Sequence, residues 1–169
     1  MQDDCFMDAD DSMVEYLTDQ GVKTLKELDA MFLILQEKAH RFLVLLLAGG
    51  GAAAGLLFNA GSLDGWKMAG LAVLCFGWSV CAAWLFFGCL AARKWRLIHA
   101  PPRVLYYQFE DGSKVDLPTL RRAKLRDYGI FCEENTARLL LVGGRFNHVI
   151  AGAVFVPLAA LLVAALFFC

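Results

Sequence analysis

Residues 68–92 read MAGLAVLCFGWSVCAAWLFFGCLAA, twenty-five positions with Ser79 as the lone hydroxyl and no Asp, Glu, Lys, Arg or His. A helix rises about 1.5 Å per residue, so this run reaches roughly 37 Å against a bilayer hydrocarbon core of about 30 Å. Two more runs share its character. Residues 42–60 (FLVLLLAGGGAAAGLLFNA) carry one strongly polar side chain, Asn59, and residues 149–169 (VIAGAVFVPLAALLVAALFFC) carry none. They reach roughly 28 and 32 Å as helices. The 169-residue chain is 59% apolar and 20% charged, with a mean hydropathy of +0.52. Soluble domains run near 45–50% apolar and about 25% charged. A chain this short cannot cover three such runs with other protein, so they are expected to cross a membrane. Large soluble enzymes, disordered chains and disulfide miniproteins are excluded by the same numbers.

The first run does not read as a cleaved leader, because ten acidic residues precede it and a leader begins with a short basic region. Basic residues near the span ends set the expected threading. Lys38 and Arg41 precede the first span, Arg93, Lys94 and Arg96 follow the second, and Arg145 precedes the third. The segment 61–67 holds only Lys67. Residues 1–41 and 93–148 are therefore expected on the cytoplasmic side, with the C-terminus on the outer side; in a bacterium this places the chain in the inner membrane. Trp66 and Trp95 bracket the second span at positions suited to the two interfacial belts.

The two cytoplasmic pieces differ in sign. Residues 1–41 hold ten acidic and four basic side chains, and residues 93–148 hold eleven basic and six acidic. They can attract each other or divide the contacts with a partner and with lipid. In the acidic piece Ser12–Glu15 and Thr24–Glu27 have the spacing of capping boxes, and Gly21 reads as a stop between two helices. Leu25, Leu28, Phe32 and Leu35 then recur at helical spacing, which predicts a helix running on into the first span. In the basic piece Pro101-Pro102 should end any extension of the second span. Residues 104–109 and 115–117 read as a hairpin around Asp111-Gly112, and 118–128 as a helix stopped by Gly129. Residues 130–132 and 138–142 read as two short strands, with Gly143-Gly144 as the connection to the third span. The expected fold is thus a mainly α membrane protein: three transmembrane helices, a cytoplasmic N-terminal helix and a small α+β cytoplasmic segment at 93–148.

Gly51 and Gly55 form a GxxxG pattern, in which missing side chains let two helix backbones approach closely in lipid. Gly70, Gly77, Cys81, Gly88 and Ala92 fall at spacings of seven, four, seven and four, a small-residue seam suited to left-handed packing within the chain. Arg121, Arg122, Lys124 and Arg126 cluster on the expected 118–128 helix, where each can add about 1 kcal/mol of attraction to anionic lipid or can meet an acidic partner. They are the candidate partner- or lipid-binding residues. The patch is short and lacks interleaved aromatics, so no nucleic acid is expected.

No Asp, Glu, Lys, Arg or His lies inside any span, which argues against ion-coupled transport, proton relays and voltage sensing. His40, His99 and His148 sit at span ends, but their spacing, even with Cys132 or Glu133, matches no metal motif. Six cysteines contain no CxxC pair, and none is expected in a disulfide. There is no GxSxG, phosphate loop, HExxH or dinucleotide fingerprint. The expectation is a protein that is not an enzyme, binds no cofactor and works through a protein partner and membrane lipid. Its size and sparse chemistry point to an inhibitor or immunity-type protein against a membrane-acting toxin. The alternatives are an accessory or scaffold subunit of a membrane complex and a homo-oligomeric pore.

Overall fold

The computed structural model describes residues 10–59, 64–91 and 117–168. Nearly all of these are helical, and no strand occurs among them. The helices are α1 (Asp11–Asn59), α2 (Gly65–Leu85) and α3 (Leu117–Phe168), with a π-helical turn at Phe86–Leu90 closing α2. All three are long and apolar enough to cross a membrane. Contacts divide the chain into two compact units, Met1–Phe32 with Arg93–Leu139 and Leu33–Ala92 with Leu140–Cys169.

In the first unit α1 begins at Asp11, capped by Asp10 and not by the Ser12 box. The Asp10 carboxylate accepts from the Asp11 backbone N–H at 2.9 Å and from the Ser12 hydroxyl at 2.7 Å. Asp and Ser are both good caps, and the one that reaches an orphan N–H sets the first turn. The expected stop at Gly21 is absent, and α1 runs straight through it. A Cβ built there would stand 3.3 Å from Tyr128 Cβ, so the glycine serves close helix packing. Val14, Leu25 and Leu28 are buried, as are Leu125, Tyr128 and Asn135 of α3. The stripe of the acidic segment is therefore covered within the unit at Leu25 and Leu28, and the Cys132 thiol lies 4.0 Å from the Gly21 carbonyl oxygen.

The α+β reading of 93–148 is corrected. Residues 130–132 and 138–142, expected as strands, lie inside α3, as do Gly129 and Gly143-Gly144. The hairpin at 104–117 lies outside the described residues except for Leu117, which opens α3. Buried positions on α3 fall at 125, 128 and 135 in the first unit and at 142, 146, 149, 153 and 160 in the second. Their separations of three, four and seven are those of one helix face. That packing outweighs both the strand propensity of Ile130-Phe131 and the roughly 1 kcal/mol that each interior glycine costs.

The core of the second unit is Ala39, Leu46, Ala82, Leu85, Cys89, Val142, Phe146, Val149 and Ala153. Four of these nine are Ala or Cys, while Phe76, Leu140 and Leu162 are about seven-tenths exposed. Large apolar side chains left facing out suit a lipid solvent, which gives no hydrophobic reward for hiding a Leu. Three consecutive glycines, Gly49–Gly51, stay helical because a lipid-facing backbone has no water to bond to and must bond to itself. At the end of α2 the Ala91 N–H donates to Phe86 O at 2.7 Å, the i→i+5 bond that defines the π turn.

Candidate functional site: helix faces of the spanning unit

Pro157 stands inside α3 and has no N–H to give to the carbonyl of Ala153 one turn earlier. In an apolar surrounding a bare carbonyl costs several kcal/mol. The Trp78 indole fills the gap, its Nε1–H donating to Ala153 O at 3.3 Å. The six-membered ring of the same indole lies so close to Gly49 that a Cβ there would overlap it. One side chain thus joins α1, α2 and α3. Sequence reading missed Trp78; the signal available was the proline, which marks Ala153 as an acceptor in need of a donor.

The expected helix-packing glycines separate into two groups. A Cβ on Gly77 would come within 2.7 Å of both Val156 methyls, and one on Gly70 within 3.2 Å of Ala164 Cβ. Cys81 belongs to the same seam, with its sulfur 3.5 Å from where a Gly152 Cβ would stand. The seam of α2 is thus occupied by α3. Gly88 is buried beside Trp84, with the Arg145 stem close by. Gly51 and Gly55 are different: a Cβ at either meets nothing within 4 Å. Ala48, Ala52 and Asn59 on the same side of α1 are exposed too. The small-residue face of α1 between 48 and 59 is therefore vacant, while the neighbouring Gly49 is filled.

The four basic candidates lie near the start of α3, where successive residues turn by about 100°. Leu125 and Tyr128 take the buried side, Arg122 and Arg126 lie on one flank and Lys124 on the other. Arg121 and Arg126 are exposed; Arg122 and Lys124 are half-buried. The Lys124 ammonium sits 5.6 Å from the Tyr128 ring centre, a cation–π contact within the unit. The structure therefore spreads the cluster around the helix, and only Arg121 and Arg126 present their charge outward. Reversing those two to Glu is expected to weaken co-sedimentation with anionic vesicles at low salt, by about 1 kcal/mol or more per position, and to change little at 1 M salt. Equal binding at low salt would remove this surface from consideration.

Among the described residues no group of His, Cys, Asp and Glu is close enough together to hold a metal ion. His148 Nδ1 stands 2.6 Å from Gly144 O, and His40 is exposed; His99 lies outside the described residues. Ser79 donates to Cys75 O at 2.7 Å, the back-bond that quiets a hydroxyl inside a helix. Cys75, Cys81 and Cys132 are free thiols, and the Cys89 thiol lies 3.7 Å from the Val142 carbonyl oxygen. Burial pushes the Cys132 thiol above its ordinary value, so it is a poor nucleophile at neutral pH. Lys67 and Asp64 pair at 2.8 Å at the start of α2, and the Lys67 ammonium holds the Asp64 carboxyl below its usual value of 3.8. A carboxyl so lowered stabilises the fold above its unfolded value, and that contribution disappears as pH falls through the folded value, below about 4.

No protein-family model, curated protein or solved structure matches the chain.

Proposed function

We propose that this chain is a non-enzymatic integral membrane protein that recognises another membrane polypeptide through the vacant face of α1. The observation that carries the reading is the contrast among its glycines. Gly49, Gly70 and Gly77 each meet a neighbour within the chain, whereas Gly51 and Gly55 meet none. In lipid, close backbone approach is the main source of helix association, so an unfilled glycine face is what a partner helix fits. With the basic residues of 93–148 on the cytoplasmic side, the partner approaches within the bilayer, and Arg121 and Arg126 offer it or the lipid surface a second contact. An inhibitor of a membrane-acting toxin, of the immunity type and resident in a bacterial inner membrane, is the form that suits a small chain without other chemistry.

The test is capture from native membranes in mild detergent, with the wild-type chain and with Gly51→Leu and Gly55→Leu. One stoichiometric membrane partner is expected with wild type and at least about a tenfold loss with each variant, the scale of one well-packed contact. Because an added Cβ at either position meets nothing within 4 Å, and glycine is the poorer helix former, thermal stability in detergent should not fall. A toxin among the captured chains supports the immunity form; subunits of a standing complex support an accessory role instead. Recovery of the chain as a defined oligomer of itself replaces the reading with a pore. Equal capture by all three proteins overturns it.

A further inference from the structure

Between the spans, at the end where α2 begins, lies a crevice of about 470 Å³. Leu56, Leu71, Leu74, Pro157 and Leu161 line it, and Gly70, Ala160 and Ala164 keep its floor low. Its walls are apolar almost throughout, and the charged group at its mouth is Lys67, paired with Asp64 at 2.8 Å and seated 5.1 Å from the Trp66 ring centre. Trp66 packs edge-on against Phe168 at 5.6 Å, the kind of aromatic pair that sits at the membrane–water boundary.

We propose that this crevice is a site for one phospholipid, taking a single acyl chain along its length and a phosphoethanolamine headgroup at the Asp64–Lys67 pair. The crevice, about 470 Å³ and open, has room for a stretch of one acyl chain. A tail gains little from leaving the bilayer for another apolar place, and its reward is dispersion against walls that would otherwise border a void. The headgroup therefore selects the lipid. Lys67 and Asp64 sum to zero charge, and a zwitterion matches them, phosphate to the ammonium and primary ammonium to the carboxylate. An anionic glycerol headgroup meets Lys67 but leaves Asp64 facing like charge. A choline headgroup has no N–H to donate to Asp64. Gly51 and Gly55 do not line the crevice, so this site goes beyond the partner-binding reading and is tested independently of it.

The full chain is reconstituted into vesicles of equal parts phosphatidylethanolamine, phosphatidylglycerol and phosphatidylcholine, then extracted in mild detergent. Native mass spectrometry counts the lipids retained. About one phosphatidylethanolamine per chain is expected, in preference to the other two. Leu71→Trp, which fills the crevice, should lower retention at least about tenfold, a loss near 1.4 kcal/mol. Lys67→Gln and Asp64→Asn, both at exposed positions, should leave the fold intact and abolish the preference among headgroups. Gly51→Leu should change nothing here. Equal retention of all three lipids by wild type, or an unchanged headgroup preference in the Lys67 and Asp64 variants, overturns the proposal, even if Leu71→Trp fails to fold.

Discussion

Replacing Trp78 with Phe is expected to cost the spanning unit about 1–3 kcal/mol, and replacing it with Ala about 3–5 kcal/mol. Phe keeps most of the volume but leaves the Ala153 carbonyl, orphaned by Pro157, without a donor. Ala empties the space between the α1 and α3 faces as well. The diagnostic variant is Pro157→Ala, which restores an N–H to α3 and returns Ala153 to its ordinary helical bond. In that background Trp78→Phe should cost much less, with a coupling of about 1 kcal/mol or more by double-mutant cycle. Unfolding in detergent, by heat or by SDS titration, measures it. If Trp78→Phe costs the same in both backgrounds, the indole bond contributes nothing. Gly49→Leu approaches the same joint from the other side and is expected to destabilise it strongly, because the leucine Cβ would overlap the indole ring.

Leu25→Asp should open the first unit. Leu25 is fully buried there, in the same unit as Leu125 and Tyr128. A carboxylate without a partner at such a place costs several kcal/mol or forces the helices apart. Limited proteolysis is expected to cut this variant at least about a hundredfold faster within its first unit, the factor a loss near 3 kcal/mol implies when opening precedes cleavage. The spans should remain resistant. Met13→Asp is the control: Met13 is half exposed, beside buried Val14, and its exchange should leave the digestion pattern as it was. Equal protection of Leu25→Asp and Met13→Asp would mean that the first unit has no packed interior.

The spans were legible because a run of some twenty residues without charge has few alternatives. The ends of α1 and α2 fall within a few residues of the expected 60 and 68. What misled the reading was punctuation learned from water-soluble proteins. Gly21, Gly129 and Gly143-Gly144 end helices where solvent can take over the backbone bonds and no packed face insists otherwise. Here a buried face continues through Tyr128, Asn135, Val142 and Phe146, and α3 carries Gly129 and Gly143-Gly144 along at positions where an added Cβ would meet nothing. Asn135, fully buried, stands between the two expected strands, where an asparagine ordinarily signals an exposed turn. Among Gly49, Gly50 and Gly51 the sequence offers no means of choosing, since each turns about 100° from the last. Which one meets Trp78 and which faces outward depends on where α2 lies.

Both units are stitched from segments far apart along the chain, and that has a consequence for biosynthesis. Leu25 is translated about a hundred residues before Leu125, roughly 5–20 s at ordinary elongation rates. Gly77 waits nearly as long for Val156. Gly49 and Trp78, by contrast, emerge within a few seconds of each other. A hairpin of the first two spans can therefore form early, while the apolar stripe near Leu25 and the glycine seam of α2 stay uncovered in the nascent chain. During that interval a chaperone, an insertase or a neighbouring nascent polypeptide can occupy those faces, so yield in the cell should respond to elongation speed as well as to final stability.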